Sequence, residues 1–287
     1  NVSIPIHTIK LKELNFPIAL NYSGSGGINI QQVASWVGIG WTLNATGAVS
    51  RTIYGLADDK YSTGYLSLPA IPPPTSENQD TFLDFSSGMR DGEPDKYFYS
   101  ANGVSGSFYI NKQKQVVQVP LTHNKIIPEF DYAGKIIAFD LVTDSGIVYR
   151  FSEHEESRSY IPGGTSTDNN YYVSSWYLAS VHNYNNTEAI YFHYEAYSFN
   201  QTAEVYSTRI IENSGSIFWP RYSITETNAK RLKYITYNQT DTKEFIPGNL
   251  SRRDLTGENF LATIEIKERK KIRSVDFSYS YFDNNGV

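Results

Sequence analysis

Along most of this chain apolar and polar residues alternate with a period of two, in short runs broken by Gly, Pro, Asn and Asp. That is the pattern of half-buried β-strands. Ser3-Ile-Pro-Ile-His-Thr-Ile9 and Asn15-Phe-Pro-Ile-Ala-Leu-Asn-Tyr22 predict two strands, with Pro5 and Pro17 near the starts, where a missing amide donor does least harm. Further strands are predicted at Lys96–Tyr99, Gly106–Ile110, Gln115–Val119, Lys135–Val142 and Gly146–Phe151. Ser152 to Asn170, polar and carrying Gly163-Gly164, reads as a mobile excursion. Three hairpins follow. Trp176–Val181 returns as Ala189–Tyr194, Arg231–Tyr237 returns as Thr242–Ile246, and Phe260–Ile266 returns through Arg269-Lys-Lys271 as Ser274–Tyr281. Each opens on Leu-x-x-(Val/Ile), at Leu178, Leu232 and Leu261, and two return through Phe-x-Tyr (Phe192, Tyr194; Phe277, Tyr279). Such hairpins bury their apolar faces only by stacking on neighbours. No amphipathic pattern runs beyond about two helical turns, although Thr81–Phe85 is suited to a short one. The fold class is therefore all-β.

One stretch breaks the alternation. Val33 to Arg51 holds Trp36 and Trp41 together with Gly38, Gly40 and Gly47. Read as strand, Gly38 and Gly40 leave one face bare, a mark of a bulge or of close approach by other atoms. Asn44-Ala-Thr-Gly47 reads as a hairpin turn with Gly47 in the left-handed region, and Val49, Arg51 and Ile53 resume the strand. Trp36, Gly38, Gly40, Trp41, Gly47 and Arg51 form the structural signature. The chain divides into residues 1–66 with this signature, a proline-rich and acidic connection over 67–95, a hairpin region over 96–170 and repeat-like hairpins over 171–287. Having no initiator methionine, it reads as a fragment or processed segment.

Composition adds constraints. With 23 Tyr, 15 Phe and 4 Trp, the chain suits pleated surfaces that are wet on one side. A net charge of −5 without a sustained basic block argues against nucleic acid as partner. The absence of cysteine removes disulfides, thiolate metal sites and a catalytic thiol. No apolar run is long enough for a transmembrane segment.

The search for reactive groups yields no catalytic constellation. His182 and His193 are placed to face each other across one hairpin, without a third ligand. Asp58-Asp59 and Glu155-Glu156 are adjacent carboxylates that point apart in extended chain. Gly103-Val-Ser-Gly106 lacks the spacing of a nucleophile elbow. Asp91-Gly-Glu-Pro-Asp95 offers three carboxylates of the kind calcium accepts, but not with EF-hand spacing, and a plain acidic turn is the simpler reading. No cofactor, metal site or enzymatic activity is predicted.

Ser3-Ile-Pro-Ile, Pro17-Ile-Ala-Leu-Asn-Tyr, Gly38-Ile-Gly-Trp-Thr-Leu and Arg51 together resemble the opening of RHS/YD-repeat proteins, including the B-type start of toxin-complex and virulence-plasmid proteins. Asp91-Gly-Glu-Pro-Asp, Gly106-Ser-Phe and Ser175-Trp-Tyr-Leu resemble the continuation in bacterial cell-surface members, and the Leu-x-x-Ile hairpins resemble degenerate copies of the repeat. The resemblance implies antiparallel hairpins stacked into extended, curved sheets of shell type. It implies the N-terminal part of a large secreted or cell-surface bacterial protein, partnered by downstream repeats and by a C-terminal effector domain that such a shell encloses. Complete Tyr-Asp signatures are few, and no self-cleavage core or toxin domain is present. Two rivals remain: an adhesion module whose exposed aromatics stack on a surface glycan, and a glycosidase with two carboxylates across a cleft.

Overall fold

The computed structural model describes residues 2–24, 33–71, 73, 75–162, 170–209, 217–238, 241–255, 258–268 and 271–281. The glycine turn from Ser25 onward, Gly163-Gly164 and the tip residues Arg269 and Lys270 lie outside them, as does part of the proline-rich stretch. The predicted all-β class holds, in two antiparallel sheets. The smaller contains β1 (Val2–Lys10), β2 (Asn15–Tyr22) and β3 (Trp41–Asn44), in that order.

The larger sheet begins with β4 (Gly47–Thr52), β5 (Lys96–Ala101), β6 (Val104–Ile110) and β7 (Val116–Gln118). It continues with β8 (Lys125–Phe130), β9 (Ile136–Val142), β10 (Val148–Tyr160) and β11 (Tyr172–His182). The last five are β12 (Ala189–Arg209), β13 (Ile217–Tyr237), β14 (Asp241–Ser251), β15 (Asn259–Glu268) and β16 (Lys271–Asp276). The order is β16-β15-β14-β13-β10-β11-β4-β5-β6-β7, with β12 paired to β11 and β13, and β9 carrying β8 beside β10. One helix, α1 (Gln79–Ser86), falls where the short amphipathic turn was expected.

The Leu-x-x-(Val/Ile) motif acquires a physical meaning from the register. Residues three apart on a regular strand point to opposite faces, yet both members of each pair are buried: Leu178 and Val181, Leu232 and Ile235, Leu261 and Ile264. A β-bulge inside each motif accounts for this. Phe151 and Arg150 oppose Leu178 and Ser180, skipping Ala179. Tyr194 and His193 oppose Leu232 and Tyr234, skipping Lys233. Pro247 and Ile246 oppose Leu261 and Thr263, skipping Ala262. The extra residue returns the second apolar side chain to the core face and bends the strand.

The signature stretch departs from expectation. Asn44–Gly47 is not a hairpin: β3 ends in the small sheet, and β4 starts in the large one between β11 and β5. The chain crosses from one sheet to the other at Ala45, which is fully buried. Gly47 does not take a left-handed φ. It is small because β5 passes against it: an added Cβ would stand 2.5 Å from Ala101 Cβ and 2.7 Å from the Ser100 carbonyl. Gly38 and Gly40 are turn residues instead of strand residues, at φ 105° and 74°, where a side chain is strained. Polarity misled at Ser152–Asn170, because β10 runs on to Tyr160, paired with β13 through Glu156–Tyr160.

The buried side chains form a contiguous core that reaches from Ile9, Phe16 and Ile18 of the small sheet to Ile266 of β15. At its centre Trp176 stands edge-on to Phe139, with centroids 5.0 Å apart, and Tyr97 stacks on Phe108 at 5.1 Å. The Trp176 indole N–H donates to the Ile136 carbonyl at 3.3 Å, so the ring is buried with its one donor satisfied.

Candidate functional site

Arg51, the last signature residue, leaves β4 into a long excursion that returns at β5. Between them Asp58, Asp59 and Asp95 gather around its guanidinium, with Asp91 beside Asp58 and Asp95. Arg51 Nη1 donates to Asp59 Oδ1 at 2.7 Å and lies 3.7 Å from Asp95 Oδ2. Its carbon stands 5.0 Å above the Trp176 ring and 5.7 Å from that of Tyr97, so cation–π contact with the core supplements the ion pair. Asp58 and Asp59 do point apart. Asp59 reaches back to Arg51 and accepts the Ile136 N–H at 2.9 Å, while Asp58 turns toward β5.

There Asp58 and Asp95 clasp each other through the backbone. Asp95 N–H donates to Asp58 Oδ1 at 3.0 Å, and Asp58 N–H donates to Asp95 Oδ2 at 2.9 Å. The Tyr97 hydroxyl donates to Asp58 Oδ2 at 3.3 Å, and the Tyr54 N–H to Asp95 Oδ1 at 3.0 Å. Asp91 stands beside this pair: one carboxylate oxygen from each of Asp58, Asp91 and Asp95 lies within 4.8 Å of the others, and all three residues are buried. The sequence grouped Asp91 and Asp95 with Glu93, but Glu93 is exposed, and the third carboxylate is Asp58, brought in by tertiary structure.

Asp58, Asp59 and Asp95 share the Arg51 guanidinium while Lys112 acts on Asp91, and the ionisation of all four carboxylates reflects it. Burial pushes Asp58 up to about 8, reinforced by the Asp95 charge. Burial raises Asp91 to about 6, and Asp95 to about 6 despite the opposing pull of Arg51. Burial would raise Asp59 too, but the charge and hydrogen bond of Arg51 hold it below the usual range.

Trp36, another signature residue, lines a second feature. Trp36 and Tyr197 both approach Arg231, whose carbon is 5.5 Å from each ring. Together with Tyr177, Tyr194 and Phe199 they border a cavity of about 380 Å³ between the signature stretch and β12. Glu258 and Arg231 face it, paired at 3.3 Å. Trp41 packs on Tyr22 at 5.1 Å, and the Gly40 backbone fits against the same tyrosine, where a Cβ would stand 2.7 Å from the ring. Tyr61, Tyr132 and Tyr184 are exposed far from this cavity in sequence. The Trp219 side chain lies outside the described residues.

The expected histidine pair does not form. His182 opposes Ala189, so the register carries His193 beyond it. His193 instead stacks on Tyr234 of β13 at 4.3 Å and meets Thr236 Oγ1 at 3.0 Å.

No family model and no curated protein matches the chain. Among solved structures, the N-terminal domain of effector protein SpvB from Salmonella typhimurium strain LT2 is similar over 97% of this chain and 99% of its own, at 12% identity and a TM-score of 0.40. At that score the likeness is too loose to carry fold detail or function from one chain to the other.

Proposed function

We propose that this chain is a non-enzymatic structural module of a larger secreted or cell-surface protein, and that its hairpins form or cap wall of the RHS/YD kind around a C-terminal effector. The carrying observation is the bulge repeated at Leu178, Leu232 and Leu261. A bulge increases twist and bends a strand, so three in successive hairpins supply the curvature a closing wall needs. The free side of β16 supports the same reading. Among the described residues it pairs only with β15, and Ile272 on it is 70% exposed. An edge of this kind is a template for another strand.

Amide hydrogen exchange tests the proposal, comparing this chain with one extended by the residues that follow in the full polypeptide. The extension is expected to slow exchange at the β16 amides facing away from β15, leaving β14 unchanged. Unaltered β16 exchange in a folded, longer chain would remove the wall reading.

A further inference from the structure

We propose that Asp58, Asp91 and Asp95 form a calcium site that pins the excursion between β4 and β5 onto the sheet. This goes beyond the wall reading and does not depend on it. The charges are the first reason. Arg51 commits its short contact to Asp59, and the Lys112 ammonium is taken by the Tyr65 and Leu68 carbonyls. Asp58, Asp91 and Asp95, each no more than 3% exposed, therefore outnumber the cations beside them, with Arg51 Nη1 standing 3.7 Å from Asp95. Buried carboxylates in that condition either take up protons or acquire a counter-ion.

The second reason is an unmet acceptor. Asp91 is 3% exposed, and its Oδ2 receives no hydrogen bond. The Thr63 hydroxyl oxygen is also buried without a partner, on the residue whose carbonyl accepts the Asp91 N–H at 2.9 Å. An unsatisfied carboxylate thus stands beside two carboxylates that are already fixed in place. The N–H groups of Tyr54, Asp58 and Asp95 and the Tyr97 hydroxyl hold Asp58 and Asp95 without exhausting their lone pairs. This is how outer partners orient ligands around a metal.

The donor chemistry selects the ion. All the donors are oxygens, and the cluster contains neither His nor Cys, which disfavours zinc and copper. The ligands come from irregular segments at residues 58, 91 and 95. That suits the adaptable coordination of calcium better than the strict octahedron of magnesium.

The test uses the whole chain, stripped with chelator. Terbium serves as an emissive calcium substitute, with Tyr97 as the buried sensitiser bonded to Asp58. Tyrosine-excited terbium emission should saturate at one ion per chain and be displaced by calcium, and calcium should raise the thermal midpoint. Asp91→Asn should raise the calcium needed for half-displacement at least about tenfold, whereas Glu93→Gln, on the same turn but exposed, should change it less than about twofold. No emission and no thermal response from the folded wild-type chain would overturn the site, showing that protons alone neutralise it. Equal responses of Asp91→Asn and Glu93→Gln would also overturn it, and equal displacement by magnesium would overturn the assignment to calcium. The wild-type titration decides even if a variant fails to fold.

Discussion

Two charged knots are buried in this protein, and they follow opposite plans. On β14 the Lys243 side chain is fully buried, but its ammonium donates to the Tyr237 hydroxyl at 2.5 Å and lies 3.3 Å from Glu268 Oε1. The Tyr237 hydroxyl in turn donates to the same oxygen at 2.9 Å. The anion Glu268 is met by Lys243 and also by His7 at 2.9 Å and Arg273 at 3.5 Å, and it keeps about a third of its side chain in water (35%). Around Arg51 three carboxylates, Asp58, Asp59 and Asp95, share one guanidinium, with both sides of the Arg51–Asp59 pair dry and Asp91 standing beside them. The matched knot ties neighbouring strands whose register is already set by backbone pairing. The unmatched knot lies where a long excursion rejoins the sheet, and its carboxylates outnumber the cations the chain places beside them. A buried charge is thus informative when its complement is missing.

Removing the cation from each knot should separate them most clearly. Arg51→Met leaves Asp59 and Asp95 without their counter-charge in a dry site, and a loss of about 3–5 kcal/mol in urea unfolding is expected. Lys243→Met should cost less than half as much, because Glu268 can rehydrate. Equal losses would erase the distinction.

The knots should also differ in their response to pH. Asp58, Asp91 and Asp95 have folded values raised to about 8, 6 and 6, so the folded state holds protons that the unfolded chain has released. Their contribution is full below the ordinary carboxylate value of 3.8 and is lost as pH rises through the folded values. Glu268 is shifted the other way: burial would raise it, but the Tyr237 hydroxyl and Lys243 hold it below 4.5. Its contribution is present above that value and is lost only in acid. In chelator, stability should therefore fall between pH 5 and 8, by up to about 1.4 kcal/mol per pH unit for each extra proton held. Asp58→Asn should flatten the upper part of that decline. Denaturant midpoints that rise from pH 5 to 8 would contradict the assignment.

Much of the ladder was legible in the sequence, because period-two alternation and turn residues are local signals. β1, β2, α1 and the first two hairpins fall where the pattern puts them, whereas the third returns as Lys271–Asp276 instead of Ser274–Tyr281. The outer halves of β12 and β13 were not legible. Where described, their side chains are mostly exposed or half-buried and polar, so no apolar rhythm marks them. The Leu-x-x-(Val/Ile) spacing was visible, but its bulge was not, since a bulge is a property of register with a partner strand. The acidic knot was half legible. Asp91 and Asp95 stood out as a cluster, whereas Asp58 joins them only through a contact 37 residues away in sequence. Gly47 signalled its importance truly and its reason falsely: crowding by Ala101, instead of a left-handed turn, demands it.

The smallest expected effect is also the sharpest, because it predicts opposite signs. In the matched knot, Glu268→Gln removes the anion that lies 3.3 Å from the Lys243 ammonium, which keeps its contact with the Tyr237 oxygen. The partner site is partly wet, so a loss of about 1 kcal/mol at pH 8 is expected. In the unmatched knot, Asp91→Asn keeps an oxygen to accept the Glu93 N–H and removes a charge that burial already disfavours. Without bound metal, that substitution should stabilise the protein at pH 8, by about 1 kcal/mol or less once solvent screening is allowed for. The gain should vanish at pH 5, where the Asp91 carboxyl is already protonated, and saturating calcium at pH 8 should turn it into a loss. If both substitutions destabilise in chelator at pH 8, the surplus of negative charge around Arg51 is not a source of strain, and the two knots are the same kind of device.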